Sequence, residues 1–382
     1  MTKTRSIEGM KSVRTKKSVT SVSSEKVGHT KQKKTILITG GAGFIGSNVL
    51  EYLFDRYPRY SFIVLDALTY AGDIRNIPER IHNSDRFRFW YGDVKNAKVV
   101  EHLVAQSDAV IHFAAETHVA RSIFDDADFF ETDVIGTQRV ANAVLKNRDK
   151  VKRFIHISTS EVYGTALGKK MNEQHPLNPQ SPYAAAKTGA DRLVYSYIET
   201  YNLPAVIVRP FNAYGPKQHL EKLIPRFVSS VLLNESMTIH GTGNSARDFN
   251  HVHDIANAID LILHAPANKV DGEVFNIATG KDWTVNKIAM MVSDAMGRKH
   301  AAGDIEYAPS MQNIGDRPGQ VYRHTGDASK LTRVLGWKPK HGFEDGLRET
   351  IEWYIDNCDW WKTKLWMRHV PIETESGKIE MH

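Results

Sequence analysis

The sequence predicts an α/β protein: a doubly wound parallel sheet with a smaller, discontinuous C-terminal domain beside it. Three observations predict this. Short apolar runs alternate with longer stretches of helical spacing. The runs are continuous rather than alternating with polar residues, as strands buried on both faces require. A glycine triplet joins the first run to the first helical stretch, the junction at which such sheets begin.

The first run, 35–39, leads into Gly40, Gly41, Ala42, Gly43, Phe44, Ile45 and Gly46, and Ile45, Val49, Leu50 and Leu53 follow at helical spacing. Glycines at 40, 43 and 46 permit a tight turn, close approach of a pyrophosphate to backbone N–H groups, and close helix packing. The second run, 62–65, ends at Asp66, about 20 residues beyond the triplet, where a carboxylate meets the ribose hydroxyls of an adenine dinucleotide. That charge would repel a 2′-phosphate, which favours NAD over NADP, and the dinucleotide motif as a whole points to a Rossmann-type sheet. A third run, 86–91, precedes Gly92, Asp93 and Val94, placing Asp93 within reach of the adenine amine. The fourth, 109–113, ends in Ala114, Ala115, Glu116, Thr117 and His118, whose small members let the backbone approach the cofactor. His112 reads as a hydrogen-bonded core histidine. A helical stretch over 125–146, a strand at 154–157 and a further strand at 204–208, leading to Arg209, Pro210, Phe211 and Asn212, complete the alternation. Beyond Gly215 and Pro216 the pattern loosens into a helix at 221–233 and short segments broken by Gly, Pro and Asn.

The chemistry gathers in two stretches. Ser158, Thr159, Ser160, Glu161, Val162, Tyr163 and Gly164 follow the strand 154–157, so their hydroxyls and carboxylate lie at its carboxyl end, where open α/β sheets bind ligands. Tyr183 and Lys187 lie four apart in an Ala-rich stretch opened by Ser181 and Pro182, on one face of a helix's first turns. An ammonium beside a phenol favours the phenolate, so the pair is a candidate general base for a sugar or alcohol hydroxyl. Further on, Arg247 and Arg317 suit a diphosphate, because guanidinium forks match phosphate oxygens.

Composition narrows the class. Of 382 residues, 41% are hydrophobic and 25% charged, as in a globular protein with a real core. No apolar run is long enough to span a membrane, so a cytoplasmic protein is expected. Cys358 is the only cysteine, which excludes intrachain disulfides and cysteine metal clusters, and no metal-ligand spacing stands out. The net charge of +6 is not a nucleic-acid footprint: residues 1–34 hold ten Lys/Arg against two acids, which leaves the rest slightly acidic. This basic stretch is expected to be a disordered tail. At the other end Trp353, Tyr354, Trp360, Trp361 and Trp366 read as packing anchors.

The motifs together resemble the extended short-chain dehydrogenase/reductases, the NAD-dependent epimerase/dehydratase superfamily. Thr39 to Gly46, and Tyr183 with Lys187, are the general marks. Leu68-Thr69-Tyr70-Ala71-Gly72, His112 to Ser122, Glu221-Lys222-Leu223-Ile224-Pro225 and Asp316-Arg317-Pro318-Gly319 resemble, more narrowly, the dTDP-glucose 4,6-dehydratases. The resemblance implies a Rossmann domain over 35–215, with 250–280 returning to it, a nucleotide-sugar domain over 216–249 and 281–361, and a C-terminal tail at 362–382. It also implies NAD, a nucleotide-sugar substrate, and a homodimer through helices near 125–146 and 181–201. In roles, it implies Tyr183 as base for the sugar 4-hydroxyl with Lys187 beside it, Thr159 bonding the 4-oxygen, and Glu161 taking the C5 proton. Phe44, Ile45, Val94 and Thr117 join the cofactor site. Thr117, His118, Asn212, Glu221, Lys222, Leu223, Arg247 and Arg317 hold the substrate.

Three positions depart from that family. Ser160 stands where an Asp usually protonates the departing C6 hydroxyl, and is expected to act instead as a hydrogen-bond relay for a proton shuttled by Glu161. Ala120 and Gln320 replace an Asp and a His. Ser-Glu is similar to the arrangement in GDP-mannose 4,6-dehydratases and in UDP-glucuronate decarboxylases. The expected reaction is oxidation at C4, loss of water across C5–C6 and hydride return to C6. Decarboxylation, 4-epimerisation and a non-catalytic NAD-binding protein with a docking tail are the alternatives.

Overall fold

The chain was described as a computed structural model covering residues 33–316, 321–368, 371–373 and 377–381. The basic stretch 1–34 lies outside the described residues, apart from Lys33 and Lys34. The central sheet takes β1 (Lys34–Thr39), β2 (Tyr60–Asp66), β3 (Phe87–Tyr91), β4 (Ala109–His112), β5 (Arg153–Ile157) and β6 (Ala205–Pro210). Short strands β7 (Asn212–Tyr214), β8 (Met237–His240) and β9 (Ala246–His251) come next, before β10 (Val274–Ile277) rejoins the sheet. The order is β10-β6-β5-β4-β1-β2-β3, and every pairing is parallel.

The apolar runs are continuous because both faces are covered. In β1, Ile36 and Ile38 join a core with Val49, Leu50 and Leu53 of helix Phe44–Arg56 and Ile255, Ile259 and Ile262 of helix Val252–His264. Leu37, between them, enters the opposite core with Val100, Val140, Val144 and Val194. The order reverses between β4 and β1, whose register runs from Ile36↔Ala109 to Thr39↔His112. Beyond their carboxyl ends a crevice opens.

A separate hydrophobic core lies among the later elements, in which Phe227, Val231, Ile288, Val292, Leu347, Ile351 and Trp361 meet. Its helices are Leu223–Leu232, Val285–Ala301 and Phe343–Asp356. β9 is its spine: β11 (Asp282–Thr284) pairs with it antiparallel, and β7 and β13 (Arg323–His324) pair with it parallel, while β12 (Met311–Ile314) pairs with β8.

Three details differ from the sequence reading. The expected helix over 125–146 is divided into Ala127–Phe129, a π-helical stretch Phe130–Gly136, and Thr137–Lys146. Residues 362–368, expected in a tail, are packed: Lys364 and Arg368 are buried, Lys364 bonding Asp73 and Arg368 bonding Glu235 and Ser230. Of the aromatic anchors, Trp361 is buried, but Trp366 is 71% exposed, because the one-turn helix Leu365–Met367 turns it outward.

Candidate active site

Local sequence shapes the crevice floor. Gly40 has φ +69°, and a Cβ there would lie 2.6 Å from the Ala114 backbone nitrogen; one on Gly46 would lie 2.3 Å from the Gly40 oxygen. Helix Phe44–Arg56 starts at Gly43 with no side-chain cap, so no side chain competes for its first N–H groups, which suits an anion. Both Asp66 oxygens are engaged: Oδ2 accepts from Ala42 N and Oδ1 from Leu68 N, each at 2.8 Å. Burial raises this carboxyl, against those two bonds. The carboxylate thus shapes the glycine turn as well as facing the cleft.

The cavity above this floor measures about 450 Å³. Gly40, Gly43, Phe44, Ile45, Gly46, Asp66, Asp93, Val94, Ala114 and Ala115 all line it. Side chains at Gly40 or Gly46 would fill the cradle, and an acid closes the end of β2, so these residues fit an adenine dinucleotide without a 2′-phosphate.

Thr159, Glu161, Tyr183 and Lys187 line the same cavity. Ser160 does not: it is buried in the one-turn helix Ser160–Tyr163, whose cap is the Thr159 hydroxyl accepting from Glu161 N. Helix Pro182–Tyr201 starts as the Ser-Pro signal predicts, with Ser181 Oγ accepting from Ala184 N at 3.2 Å. Burial pushes the Tyr183 phenol well up, reinforced by the Asp133 carboxyl and opposed by a Thr159 hydrogen bond. The sequence suggested a phenol lowered by Lys187. Instead the ammonium donates to the Ile157 carbonyl at 2.9 Å, and burial lowers its own pKa.

A second polar group forms around Glu221. It is buried and lies 3.1 Å from Lys222 Nζ, 3.4 Å from His118 Nε2, 3.5 Å from His219 Nδ1 and 3.4 Å from the Tyr70 hydroxyl. Burial alone would raise this carboxyl, but Lys222 and the two imidazoles hold it well below the usual range. Lys222 also donates to Thr117 O at 2.8 Å. Thr117, His118, Asn212, Leu223 and Arg247 complete this part of the lining. Arg317, like Gln320, lies outside the described residues.

Several groups escaped the sequence reading. Asp133, in the π-helical stretch, is fully buried, accepts from Glu116 N at 2.8 Å, and is pushed up to about 7 by burial against the pull of Lys187. His324 is fully buried with Nδ1 3.5 Å from Glu161 Oε1. No motif announced either, since each needs a contact across the fold. His112 does sit as a core histidine, between Thr39 Oγ1 (2.6 Å) and Thr137 Oγ1 (3.0 Å). Where no metal-ligand spacing stood out, His251, His253 and His341 still bring ring nitrogens within 4.8 Å. Two of those rings stack at 4.3 Å and 28°, so their in-plane lone pairs do not converge on one ion.

Comparison with known proteins agrees with this geometry. The family model described as GDP-mannose 4,6 dehydratase matches residues 37–350. The low-salt glycan biosynthesis protein Agl12 of Haloferax volcanii is 40% identical, over 84% of this chain and 98% of its own. The dTDP-glucose 4,6-dehydratase of Streptomyces niveus is 40% identical, over 86% of this chain and 94% of its own. Among solved structures, the dTDP-glucose 4,6-dehydratase DesIV of Streptomyces venezuelae, with NAD and TYD bound, superposes with a TM-score of 0.80 at 38% identity, covering 86% of this chain and 99% of that one. A family match over most of the chain, relatives of nearly equal length and a cleft that fits the dinucleotide lead to one assignment: the chain belongs to the GDP-mannose 4,6 dehydratase family within the NAD-dependent epimerase/dehydratase superfamily, and is an NAD-dependent sugar-nucleotide 4,6-dehydratase.

Proposed function

We propose that the cleft takes a dTDP-linked hexose and converts it to the 4-keto-6-deoxy sugar. The observation that carries this reading is the single cavity lined by Thr159, Glu161, Tyr183 and Lys187 together with Lys222 and Arg247. It puts a hydroxyl, a carboxylate and a phenol beside cations suited to a diphosphate.

In this reading Tyr183 accepts the 4-hydroxyl proton, Thr159 bonds the 4-oxygen, and Lys187, anchored on the Ile157 carbonyl, is the cation partner in the same cavity. NAD, when bound, supplies the acceptor for the C4 hydride and its return at C6. It would be held by the glycine turn, Asp66, Asp93 and the Ala114–Ala115 backbone. The C4 ketone acidifies the C5 hydrogen, and Glu161 removes that proton to leave an enolate, which expels the C6 oxygen in the next step; C5 takes back a proton when hydride returns to C6. Glu161 then gives the same proton to the leaving oxygen, because Ser160 has no acidic proton of matching strength. Asn212, Glu221, Lys222, Leu223, Arg247 and Arg317 hold the nucleoside diphosphate end, with Thr117 and His118 beside them.

A homodimer in the cytosol completes the proposal. Phe130, Ile135, Tyr195 and Tyr201, on the helical segments over 127–146 and 182–201, are between 39% and 45% exposed, an apolar surface suited to a second copy. Sedimentation of the full chain reads this state.

The deciding experiment incubates the protein with dTDP-glucose, GDP-mannose, UDP-N-acetylglucosamine and UDP-glucuronate and weighs the products. A product of dTDP-glucose lighter by one water is expected. Loss of carbon dioxide from UDP-glucuronate, an isobaric isomer, or no turnover of any sugar would replace this reading with decarboxylase, epimerase or binding protein.

A further inference from the structure

Glu161 has a neighbour that the motifs do not mention. β13 runs parallel to β9 with His324 paired to Arg247. The loop after the active-site turn locks onto this strand: Ala166 N donates to Arg323 O at 3.2 Å and Met171 N to Thr325 O at 2.9 Å. Gly164, with φ +67°, lets the turn pack against Asn178, since a Cβ there would lie 2.1 Å from the Asn178 oxygen. The result is an imidazole from β13 wedged beneath the catalytic turn, edge-on to Phe211 at 6.2 Å.

The tautomer follows from the partners. A carbonyl oxygen only accepts, so the 2.6 Å contact of His324 Nε2 with Gly164 O places the ring proton on Nε2. Nδ1 is left as a lone pair, buried, with no hydrogen-bond partner at ordinary distance, and the Glu161 carboxyl is 3.5 Å away. Such contacts are often long before substrate binds and tighten in the complex. Glu161 favours the charged ring, while burial, Arg247 and His175 favour the neutral one. The cavity lining does not include His324, so it acts only through Glu161.

We infer that His324 is a positioning residue that shares one proton with Glu161, enabling one carboxyl to act first as base and then as acid where Ser160 has removed the separate acid. The inference rests on the reading of Glu161 as the C5 base. When the C5–H bond breaks, its electron pair moves into the C4 carbonyl as an enolate and its proton goes to Glu161. That carboxylic acid donates to His324 Nδ1, which keeps the proton at hand. As the C6–O bond breaks, the enolate pair forms the C5=C6 double bond and the C4 ketone is restored. The oxygen leaves with that proton as water, and the carboxylate and neutral imidazole are regenerated. Nothing else is consumed.

The pair titrates as a unit. An imidazole binds protons more tightly than a carboxylate, so the first proton joins the pair at a higher pH than it would join Glu161 alone. Removing the imidazole should therefore move the acid limb of kcat to lower pH.

The test uses the near-isosteric His324→Gln and the ring-keeping His324→Phe in the full chain, with dTDP-glucose. The expected result is about a 10- to 100-fold lower rate of water loss, a range consistent with losing part of an acid–base contribution. KM should stay within about twofold, the acid limb should move down, and NADH should build up after substrate addition because oxidation at C4 continues. Equal slowing of oxidation and elimination, or an unmoved acid limb, overturns the inference. A second measurement needs no turnover: nitrogen NMR of ¹⁵N-histidine-labelled protein should find His324 as the Nε2–H tautomer, with a resonance that shifts in Glu161→Gln. An unshifted signal or the opposite tautomer also overturns it. Normal turnover of Glu161→Gln sinks the functional reading itself. Arrest after oxidation in that variant, with an unmoved acid limb in the His324 variants, sinks only the role of His324.

Discussion

Tyr183 is the residue at which burial and function pull against each other. The phenol is buried, and the Asp133 carboxyl adds to its reluctance to ionise, while Lys187 spends its hydrogen bond on Ile157 O. In this state the phenol holds its proton, and the Thr159 hydroxyl is the group that favours its loss. Tyr183→Phe keeps the ring and its edge contact with Phe129 at 6.3 Å but removes the oxygen. Its expected effect is a loss of about 10²- to 10⁴-fold in C4 oxidation, the span of a general base, with NAD affinity unchanged. Stopped-flow NADH absorbance checks the first and calorimetry the second; oxidation at the normal rate would remove the phenol from the chemistry. Tyr183, Lys187, Thr159 and the glycines were legible because each sits in a short local pattern, a helix start, a strand end or a glycine turn, whatever partners it meets. Asp133 and His324 were not: each is a polar residue buried by elements distant in sequence, and no local pattern marks such a residue.

At the scale of elements, the site depends on keeping one helix at the carboxyl ends of two strands. Asp191, on helix Pro182–Tyr201, accepts from Ser158 Oγ just past β5 at 2.7 Å and from Arg209 Nε and an Arg209 terminal nitrogen on β6, each at 2.8 Å. Arg209 in turn donates to the Tyr163 hydroxyl at 3.0 Å, and that hydroxyl donates to Asn276 on β10 at 2.7 Å. Burial alone would raise the Asp191 carboxyl, but Arg209 and Arg192 hold it far below the ordinary range. Asp191→Asn leaves the Arg209 charge buried without its counter-ion, and is expected to cost about 3–5 kcal/mol of stability. Urea unfolding measures this; an unchanged midpoint would show that the helix is held by apolar packing alone. The strands were readable because a run covered on both faces must be apolar throughout, and this helix because Ser181 and Pro182 mark its start and Asn202, at φ +52°, its end. The π-helical stretch over 130–136 was not: one widened turn shifts the apolar stripe too little to show in a helical pattern.

The whole molecule is clasped across the cleft by its C-terminal segment. The loop after β2 lines the cavity through Thr69, Ala71 and Gly72, and the residues that follow it are tied to the segment 360–364. Lys364 bonds Asp73, Arg75 donates to Thr363 Oγ1 at 2.7 Å, and Trp360 Nε1 donates to Asn76 Oδ1 at 2.9 Å. Burial would raise the Asp73 carboxyl, but Arg75 and Lys364 outweigh it and hold it at about 2. A carboxyl depressed in the folded state adds stability that is present above its unfolded pKa, about 3.9, and is lost as the pH falls toward the folded value. The clasp should therefore weaken between about pH 4 and pH 2. In Asp73→Asn that contribution is absent at every pH. The variant should be less stable than the parent at pH 6, and its stability should fall less steeply below pH 4, as read by denaturant midpoints at each pH. Because the clasp positions one wall of the cofactor site, NAD should also bind the variant more weakly at pH 6. Stability slopes that coincide below pH 4 would mean that the Asp73 carboxyl does not hold the clasp together, and NAD affinity would then have no reason to follow this substitution.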